Sequence, residues 1–292
     1  MVRSNMLAPL LELLESSMTM HGWAGRMFGV RQWLRDGSLA SMRTASVSVV
    51  VIRRNVQPSF PCDVFELLKK EEVSFQSILV DIPEEDHMTT SREQGNCVDA
   101  HLVLSSSTPW YTAFNLGAAC AGGDLLVFLN GAAMPQTGLL AAYREMFQAH
   151  PETLAARGVL HVTGLEDCAC QVTGSFALAD ETVLWPVDLD ENMAVRANIF
   201  FALGGFDESL IGGYGALDLS IRLFGCKPDF CCQRYAPRAR IVLESPEHPG
   251  LPLENYLMQR QRAWLQLNDS LKRYLDLYGK FWLEHVNKEE RQ

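Results

Sequence analysis

Three carboxylates lie close together in a stretch that two pairs of glycines interrupt. Asp207 and Glu208 directly follow Gly204-Gly205, and Asp218 follows Gly212-Gly213. A carboxylate beside a hydroxyl substrate can accept its proton as a new bond forms. Glycine allows the backbone to flex or to approach a ligand closely. This segment is therefore a candidate for general-base chemistry.

Two further polar residues stand at the ends of apolar runs. Asp81 ends the run 77–81, and Asn130 follows the run 124–129. Short apolar runs of this kind predict buried strands. Ligands of open α/β sheets bind beyond the carboxyl ends of parallel strands. We therefore expect Asp81 and Asn130 to line one crevice, together with the end of the first strand at Ile52.

The elements that would position these residues alternate between strand and helix. Strands are predicted at 46–52, 77–81, 101–104 and 124–129, helices at 61–72, 108–120 and 137–149, and short strands within 155–184. Thr108 precedes Pro109 and is predicted to cap the second helix. Strand, helix and strand in succession predict right-handed parallel units. The expected fold class is therefore α/β with a mostly parallel central sheet.

Helical additions are predicted on both sides of this domain. Residues 1–44 and 251–292 carry apolar residues at helical spacing, which leaves 45–250 as the main domain. The apolar face of the first addition would dock either on the main domain or on a second subunit. A homo-oligomer through the N-terminal helices therefore remains an open alternative.

Composition excludes several classes of protein. The chain has 292 residues, 48% of them hydrophobic, and a formal net charge of −10. This charge argues against a nucleic-acid partner, which needs a clustered basic surface. The eight cysteines show no paired CxxC spacing, so a zinc cluster is not expected. No apolar run reaches the ~18 residues of a membrane span, and we expect a soluble, cytoplasmic protein.

Four segments, read in order, resemble the family 2 glycosyltransferases across residues 45–270. The first is the strand that ends in Asp81. The second is 112–129, which is similar to the helix–strand pattern N-x-G-x-x-x-A-x-G-[DE]. The third is 203–208, which is close to the GGFDE element, and the fourth is 214–223, which occupies the place of the segment G-x-E-D-x-D-L-x-x-R-L.

The resemblance implies a GT-A domain that binds a nucleotide sugar. Such an enzyme would transfer the sugar from a UDP-linked donor to a saccharide or protein hydroxyl, with inversion. Asp218 matches the aspartate of the family's ED pair and would be the general base. Three residues would bind the donor: Asp81, Asn115 and Asn130. Four would shape the acceptor-side loop: Asp207, Glu208, Gly212 and Gly213.

The chain departs from the family pattern at two places. The metal-binding DxD motif is replaced by Asn130-Gly131-Ala132, and Leu217 stands in place of the glutamate of the ED pair. His248 lies near the position of a third metal ligand. Asn130 and His248 alone would hold Mn²⁺ or Mg²⁺ poorly, because these hard cations prefer oxygen ligands. Whether the protein uses a divalent cation is left open.

Two functions therefore remain as alternatives. The first is an active transferase, and the second is a catalytically degenerate GT-A protein that acts as a nucleotide-sugar sensor or as an assembly subunit of a glycosylation complex. Asp218 also has two alternative roles, the general base and the N-cap of the helix that follows, because Asp is a favoured N-cap residue. A dinucleotide-binding oxidoreductase is disfavoured, because Ile52-Arg53-Arg54-Asn55 stands where G-x-G-x-x-G would be required.

Overall fold

The structure is a computed structural model that describes residues 46–54, 61–83, 98–162, 181–210, 214–226 and 231–243. The strands are β1 (Val47–Arg54), β2 (Phe75–Ile82), β3 (Ala100–Val103), β4 (Leu125–Asn130), β5 (Met134–Pro135), β6 (Ala155–Val162), β7 (Val183–Leu184), β8 (Asn192–Arg196) and β9 (Gln233–Leu243). The helices are α1 (Pro61–Lys69), α2 (Trp110–Ala119), α3 (Leu139–Ala149), α4 (Ala197–Ala202) and α5 (Gly215–Cys226). The predicted terminal helices, Gly212, Gly213 and His248 lie outside the described residues.

The described strands form one mixed sheet in the order β3-β2-β1-β4-β8-β6-β9-β5, with β7 paired to β9. The pairs β3·β2, β2·β1 and β1·β4 are all parallel, as the strand–helix–strand pattern predicts. Beyond them, β8 runs antiparallel to β4 and to β6, whereas β6 and β9 are parallel. The α/β fold class is thus confirmed. The parallel strands β1 to β4 are the part of the sheet that the strand–helix–strand pattern predicted.

Strand β1 continues two residues past its predicted end at Ile52. Arg53 and Arg54 pair with Asp81 and Ile82 of β2. In a sequence, a pair of arginines predicts the end of a buried strand, because a charged side chain is rarely buried without a partner. Here Arg53 has such a partner and is only 5% exposed.

Helices cover both faces of the sheet. One apolar cluster contains the inward faces of α2, α4 and α5, together with Val50 and Ile52 of β1. The other contains α1 and α3, together with Val49 and Val51 of β1. Side chains of a strand point alternately to its two faces, so a run of apolar residues is buried throughout. No helix among the described residues is long and apolar enough to cross a membrane.

The N-terminus of helix α3 receives a carboxylate from a distant part of the chain, whereas that of α2 does not. Glu71 accepts hydrogen bonds from the backbone N–H groups of Leu140 and Ala141, both at 3.0 Å, in the first turn of α3. The cap position of α2 is Pro109, with no side-chain hydrogen bond, so the predicted Thr108 cap is not formed. A carboxylate is well suited to this role because it satisfies N–H groups that have no partner within the helix.

Candidate active site

The carboxyl ends of β1, β2 and β4 meet at one edge of the sheet. Ile52 is in register with Val80 on one side and with Asn130 on the other. Strands β2 and β3 extend to one side of β1, and β4 lies on the other. The strand order therefore reverses between β1 and β4, and a reversal of this kind creates a ligand-binding crevice in open α/β sheets. Asp81 and Asn130 are at the predicted edge.

The pleat nevertheless places these two side chains on opposite faces. Asn130 is in register with Ile52, whose side chain packs against α2. Asp81 is in register with Arg53, the next residue along β1, which points to the other face. At this edge, the Asn130 side chain therefore lies on the face of the sheet that α2 covers, and the Asp81 side chain lies on the other face.

On its side, Asp81 is held by Arg53 and His101. Arg53 donates from Nε to Oδ1 and from Nη2 to Oδ2, both at 2.7 Å, and His101 Nε2 lies 2.8 Å from Oδ2. The Asp81 side chain is 1% exposed. A bidentate arginine pair is among the strongest carboxylate contacts. The predicted contact of Asp81 with a nucleotide base stays a prediction, and it would require the base to share this carboxylate with Arg53.

Only the oxygen of the Asn130 side-chain amide has a hydrogen-bond partner among the described residues. Its Oδ1 accepts a hydrogen bond from the backbone N–H of Ala132 at 2.9 Å. Its Nδ2 is buried and has no hydrogen-bond partner among the described residues. The residue as a whole is 1% exposed. The orphaned group is therefore a donor, not an acceptor.

The residues at this edge do not fit the divalent cation that the fold family implies. The described residues contain no group of three His, Cys, Asp or Glu side chains that could hold a metal ion. Ala132 offers no ligand, and the amide oxygen of Asn130 is already an acceptor for that residue's N–H.

Asn115 connects helix α2 to the GGFDE element. Its Nδ2 donates to the Phe206 carbonyl at 2.9 Å, and its Oδ1 accepts from the Phe206 N–H at 2.9 Å. Nδ2 also lies 3.1 Å from Glu208 Oε1, and Thr112 donates to Oε2 of the same carboxylate at 3.0 Å. Asn115 is fully buried. Its observed contacts are structural, and the predicted contact with the nucleotide sugar stays a prediction.

The rest of the GGFDE element is also tied into the fold. Asp207 Oδ1 accepts from the N–H and the hydroxyl of Ser209, at 2.9 and 2.7 Å. A Cβ at Gly205, where φ is 77°, would lie 2.5 Å from Asn115 Oδ1. The Phe206 ring packs against four aromatic rings, those of Tyr111, Phe114, Phe128 and Phe200, with centroids 5.1 to 5.5 Å away. This element therefore shapes a loop through its packing.

Asp218 lies in the first turn of α5, which begins at Gly215. It is the fourth helical residue, so it is not the N-cap. Its Oδ2 accepts from Arg222 Nε at 2.8 Å, and Arg222 Nη1 donates to the Leu203 carbonyl at 2.7 Å. The side chains of Asp218 and Arg222 are 1% and 10% exposed. The predicted base is thus a buried member of an ion pair.

This ion pair bears on the register of the resemblance. The D-L-x-x-R spacing of the family segment coincides with Asp218-Leu219 and Arg222. This register differs from the alignment that matches Leu217 and Asp218 with the ED pair: here the pair falls on Gly215 and Ala216, two positions without a carboxylate. A Cβ at Gly215 would lie 2.3 Å from Cε1 of the Tyr111 ring. An aromatic side chain therefore occupies the space beside the first position of the pair.

A different carboxylate, that of Asp190, contacts these two positions. It accepts hydrogen bonds from the Tyr111 hydroxyl at 2.5 Å, from the Gly215 N–H at 3.3 Å and from the Ala216 N–H. Burial raises the pKa of Asp190, and burial together with the nearby Asp190 raises the pKa of Tyr111 well above its usual value. Neither Asp190 nor Tyr111 was predicted as a site residue, because neither belongs to a sequence motif.

Comparison with known proteins supports the fold. No protein-family model and no curated protein matches the chain. Among solved structures, residues 1–349 of S. aureus TarS match with a TM-score of 0.57 and 14% identity, over 82% of this chain and 72% of that one. The same TarS fragment in complex with UDP-GlcNAc matches with a TM-score of 0.59 and 13% identity, over 82% and 73%.

A longer TarS structure matches with a TM-score of 0.58 and 13% identity. The match covers 82% of this chain and 43% of the longer one. The chain thus spans less than half of that longer protein. At such low identity the likeness concerns architecture. The chain has a GT-A-type glycosyltransferase fold.

Proposed function

We propose that this protein is a degenerate relative of the family 2 glycosyltransferases that binds a UDP-linked sugar without transferring it. The observation that carries the proposal is the structure around Gly215 and Ala216, the ED positions in the register that the Asp218–Arg222 spacing gives. Gly215 and Ala216 have no carboxylate, and the Tyr111 ring fills the space in which a side chain at Gly215 would lie. The sugar nucleotide would then act as a signal, or as a ligand that stabilises a glycosylation complex.

Binding is supported by the crevice rather than by any single residue. The strand order reverses beside β1, and the carboxyl ends of three parallel strands meet there. The TarS fragment that shares this fold was crystallised with UDP-GlcNAc. A nucleotide sugar is therefore the ligand class that we assign to the crevice.

The loss of transfer activity is supported by the burial and the hydrogen bonds of the candidate carboxylates. Transfer requires an activated acceptor hydroxyl and a stabilised diphosphate leaving group. Asp190 and Asp218 are both buried and hydrogen-bonded within the fold. The DxD position holds Asn130-Gly131-Ala132, which has no carboxylate to bind a cation. In the arrangement observed, both aspartates are therefore engaged within the fold, and residues 130–132 supply no carboxylate that would hold a cation against the diphosphate.

The second candidate is an inverting transferase in which Asp218 deprotonates a saccharide or protein hydroxyl. The observation that favours it is the preserved acceptor-side element, in which Asn115 still holds Phe206 and Glu208. This candidate requires the Asp218 carboxylate to leave Arg222 when the acceptor binds. The two candidates therefore differ in what Asp218 does.

A combined binding and turnover experiment separates the candidates. Nucleotide sugars are screened by the rise in melting temperature that a native-state ligand causes. We expect a UDP sugar to raise it, and we expect radiolabelled donor to remain intact under single-turnover conditions. Transfer that falls by about 10² to 10⁴ in Asp218→Asn, with donor affinity unchanged, would establish the second candidate. Glu145→Gln, a change at an exposed residue of α3, is the matched control.

A result in which no nucleotide sugar changes the melting temperature would reject both candidates. In that case the protein would act only as an assembly subunit of a glycosylation complex. The predicted terminal segments, 1–44 and 251–292, would then be the regions to test for contacts within a glycosylation complex. Deleting each in turn and measuring the oligomeric state by light scattering provides that test.

A further inference from the structure

We infer that the crevice holds its nucleotide through a direct hydrogen bond from Asn130 Nδ2 to a ligand oxygen, without a bridging divalent cation. This inference rests on the proposed function, since it concerns how the same nucleotide is bound. The ligand oxygen belongs to the ribose or to the diphosphate. The site is therefore an anion- and hydroxyl-binding site in place of the family's metal site.

The orientation of the Asn130 amide carries the inference. The Ala132 N–H donates to Oδ1 at 2.9 Å. A flipped amide would direct NH₂ at that N–H, and two donors would then face each other. The local backbone thus determines which end of the amide is left over. That end is Nδ2, which carries hydrogen atoms and has no lone pair with which to bind a cation.

The remaining donor is unsatisfied in the described residues. Asn130 Nδ2 is buried and has no hydrogen-bond partner there. A buried donor without a partner costs free energy, and such groups in native proteins often mark the place of a ligand or an ordered water. Asn130 ends β4 at the point where the strand order reverses. A bound nucleotide oxygen would satisfy this donor.

A permanent cation lies on the same side of the sheet. Arg54 follows Ile52 by two residues, so its side chain points to the face of Asn130. Its guanidinium lies 6.0 Å from the Trp110 ring centroid and donates to the Thr108 carbonyl at 3.2 Å. Among the described residues it has no carboxylate partner. Arg54 would thus attract a diphosphate and repel a free divalent cation.

The first arm of the test uses the unmodified protein. Calorimetric titration with UDP and with UDP-GlcNAc is carried out in EDTA and again with Mn²⁺. We expect at least one of the two ligands to bind, with a dissociation constant that changes less than about threefold between the two conditions. Binding only in the presence of Mn²⁺ would overturn the inference and leave the proposed function intact. No binding to either ligand in either condition would count against the proposed function itself.

The second arm uses Asn130→Asp, which keeps an oxygen for the Ala132 N–H and replaces only the Nδ2 donor. In EDTA we expect binding to weaken about tenfold or more, as the loss of one hydrogen bond to a charged group predicts. Mn²⁺ should restore part of the affinity, because the new carboxylate can bind it. Glu145→Gln on α3 is the control and should bind as the wild type does.

A third measurement guards against a folding defect in the variant. The melting temperature of ligand-free Asn130→Asp is compared with that of the wild type, and Asn130→Ser, which keeps both a donor and an acceptor, provides a second variant. Equal affinity of the wild type and a folded Asn130→Asp in EDTA would show that Nδ2 contacts water instead. That outcome would refute the inference.

Discussion

The Asp218 carboxylate lies 2.8 Å from Arg222 Nε, one helical turn further along α5, and Arg222 also donates to the Leu203 carbonyl. The pair therefore ties α5 to the residue that precedes the glycine pair of the GGFDE element. Charges so little exposed to water depend on each other for compensation.

Asp218→Ala should lower the free energy of unfolding by about 3–5 kcal/mol, because it leaves the Arg222 guanidinium buried without its carboxylate. Urea denaturation measures the change. The double variant Asp218→Leu with Arg222→Met should recover most of the loss, since apolar residues of similar volume often replace a buried pair without cost. An unchanged free energy of unfolding in Asp218→Ala would show that this ion pair does not support the fold.

Asp190→Asn should alter the pH dependence of stability. Burial raises the pKa of Asp190 in the folded state. The corresponding stabilisation is complete below the unfolded pKa of about 3.9 and is lost as the pH rises through the folded pKa. The stability difference between the wild type and Asp190→Asn should therefore be most favourable to the wild type in acid and should decrease as the pH rises. Urea titrations at several pH values would reveal a constant difference if this assignment is incorrect.

Gly215→Ala should destabilise the protein by about 1–3 kcal/mol, because the new Cβ would lie 2.3 Å from the Tyr111 ring. Gly225→Ala in the same helix is the matched control. A Cβ there has nothing within 4 Å, and alanine favours a helix over glycine by about 1 kcal/mol.

A double-mutant cycle tests whether Tyr111 is the cause. Adding Tyr111→Ala removes the ring, so the double variant should lose less stability than the sum of the single variants. Additive losses would indicate that the clash is not the origin of the effect at Gly215.

Cys120 should react slowly in the folded protein. Burial raises the pKa of its thiol to about 11 from the ordinary value of 9.0. At pH 8 its thiolate population is then lower by about a hundredfold, and the thiolate is the reactive form. Alkylation followed by peptide mass spectrometry should show little modification until the chain is unfolded in urea. The associated stabilisation is complete below about pH 9 and declines as the pH rises toward 11. Equal alkylation rates in the folded and unfolded chain would contradict the assignment.

The sequence alone determined the four parallel strands β1 to β4 and the edge that could bind a ligand, but it predicted neither β8 nor β9. The apolar runs ending near Ile52, Asp81 and Asn130 predict buried strands, and the intervening helices force those strands to run parallel. Their carboxyl ends must then share one edge, as observed. These results follow from local periodicity and from the handedness of the crossover, which require no knowledge of side-chain contacts.

Only the tertiary structure decided what each polar side chain does. Arg53 and His101 lie 28 and 20 residues from Asp81, and Tyr111 lies 79 residues from Asp190. A buried polar group takes whichever partner the packing brings near, and no sequence spacing encodes that choice. Two contacts are local instead: Arg222 lies one helical turn from Asp218, and the Ala132 N–H, two residues from Asn130, donates to its Oδ1 and leaves Nδ2 without a partner among the described residues. For these groups the tertiary structure decided the burial.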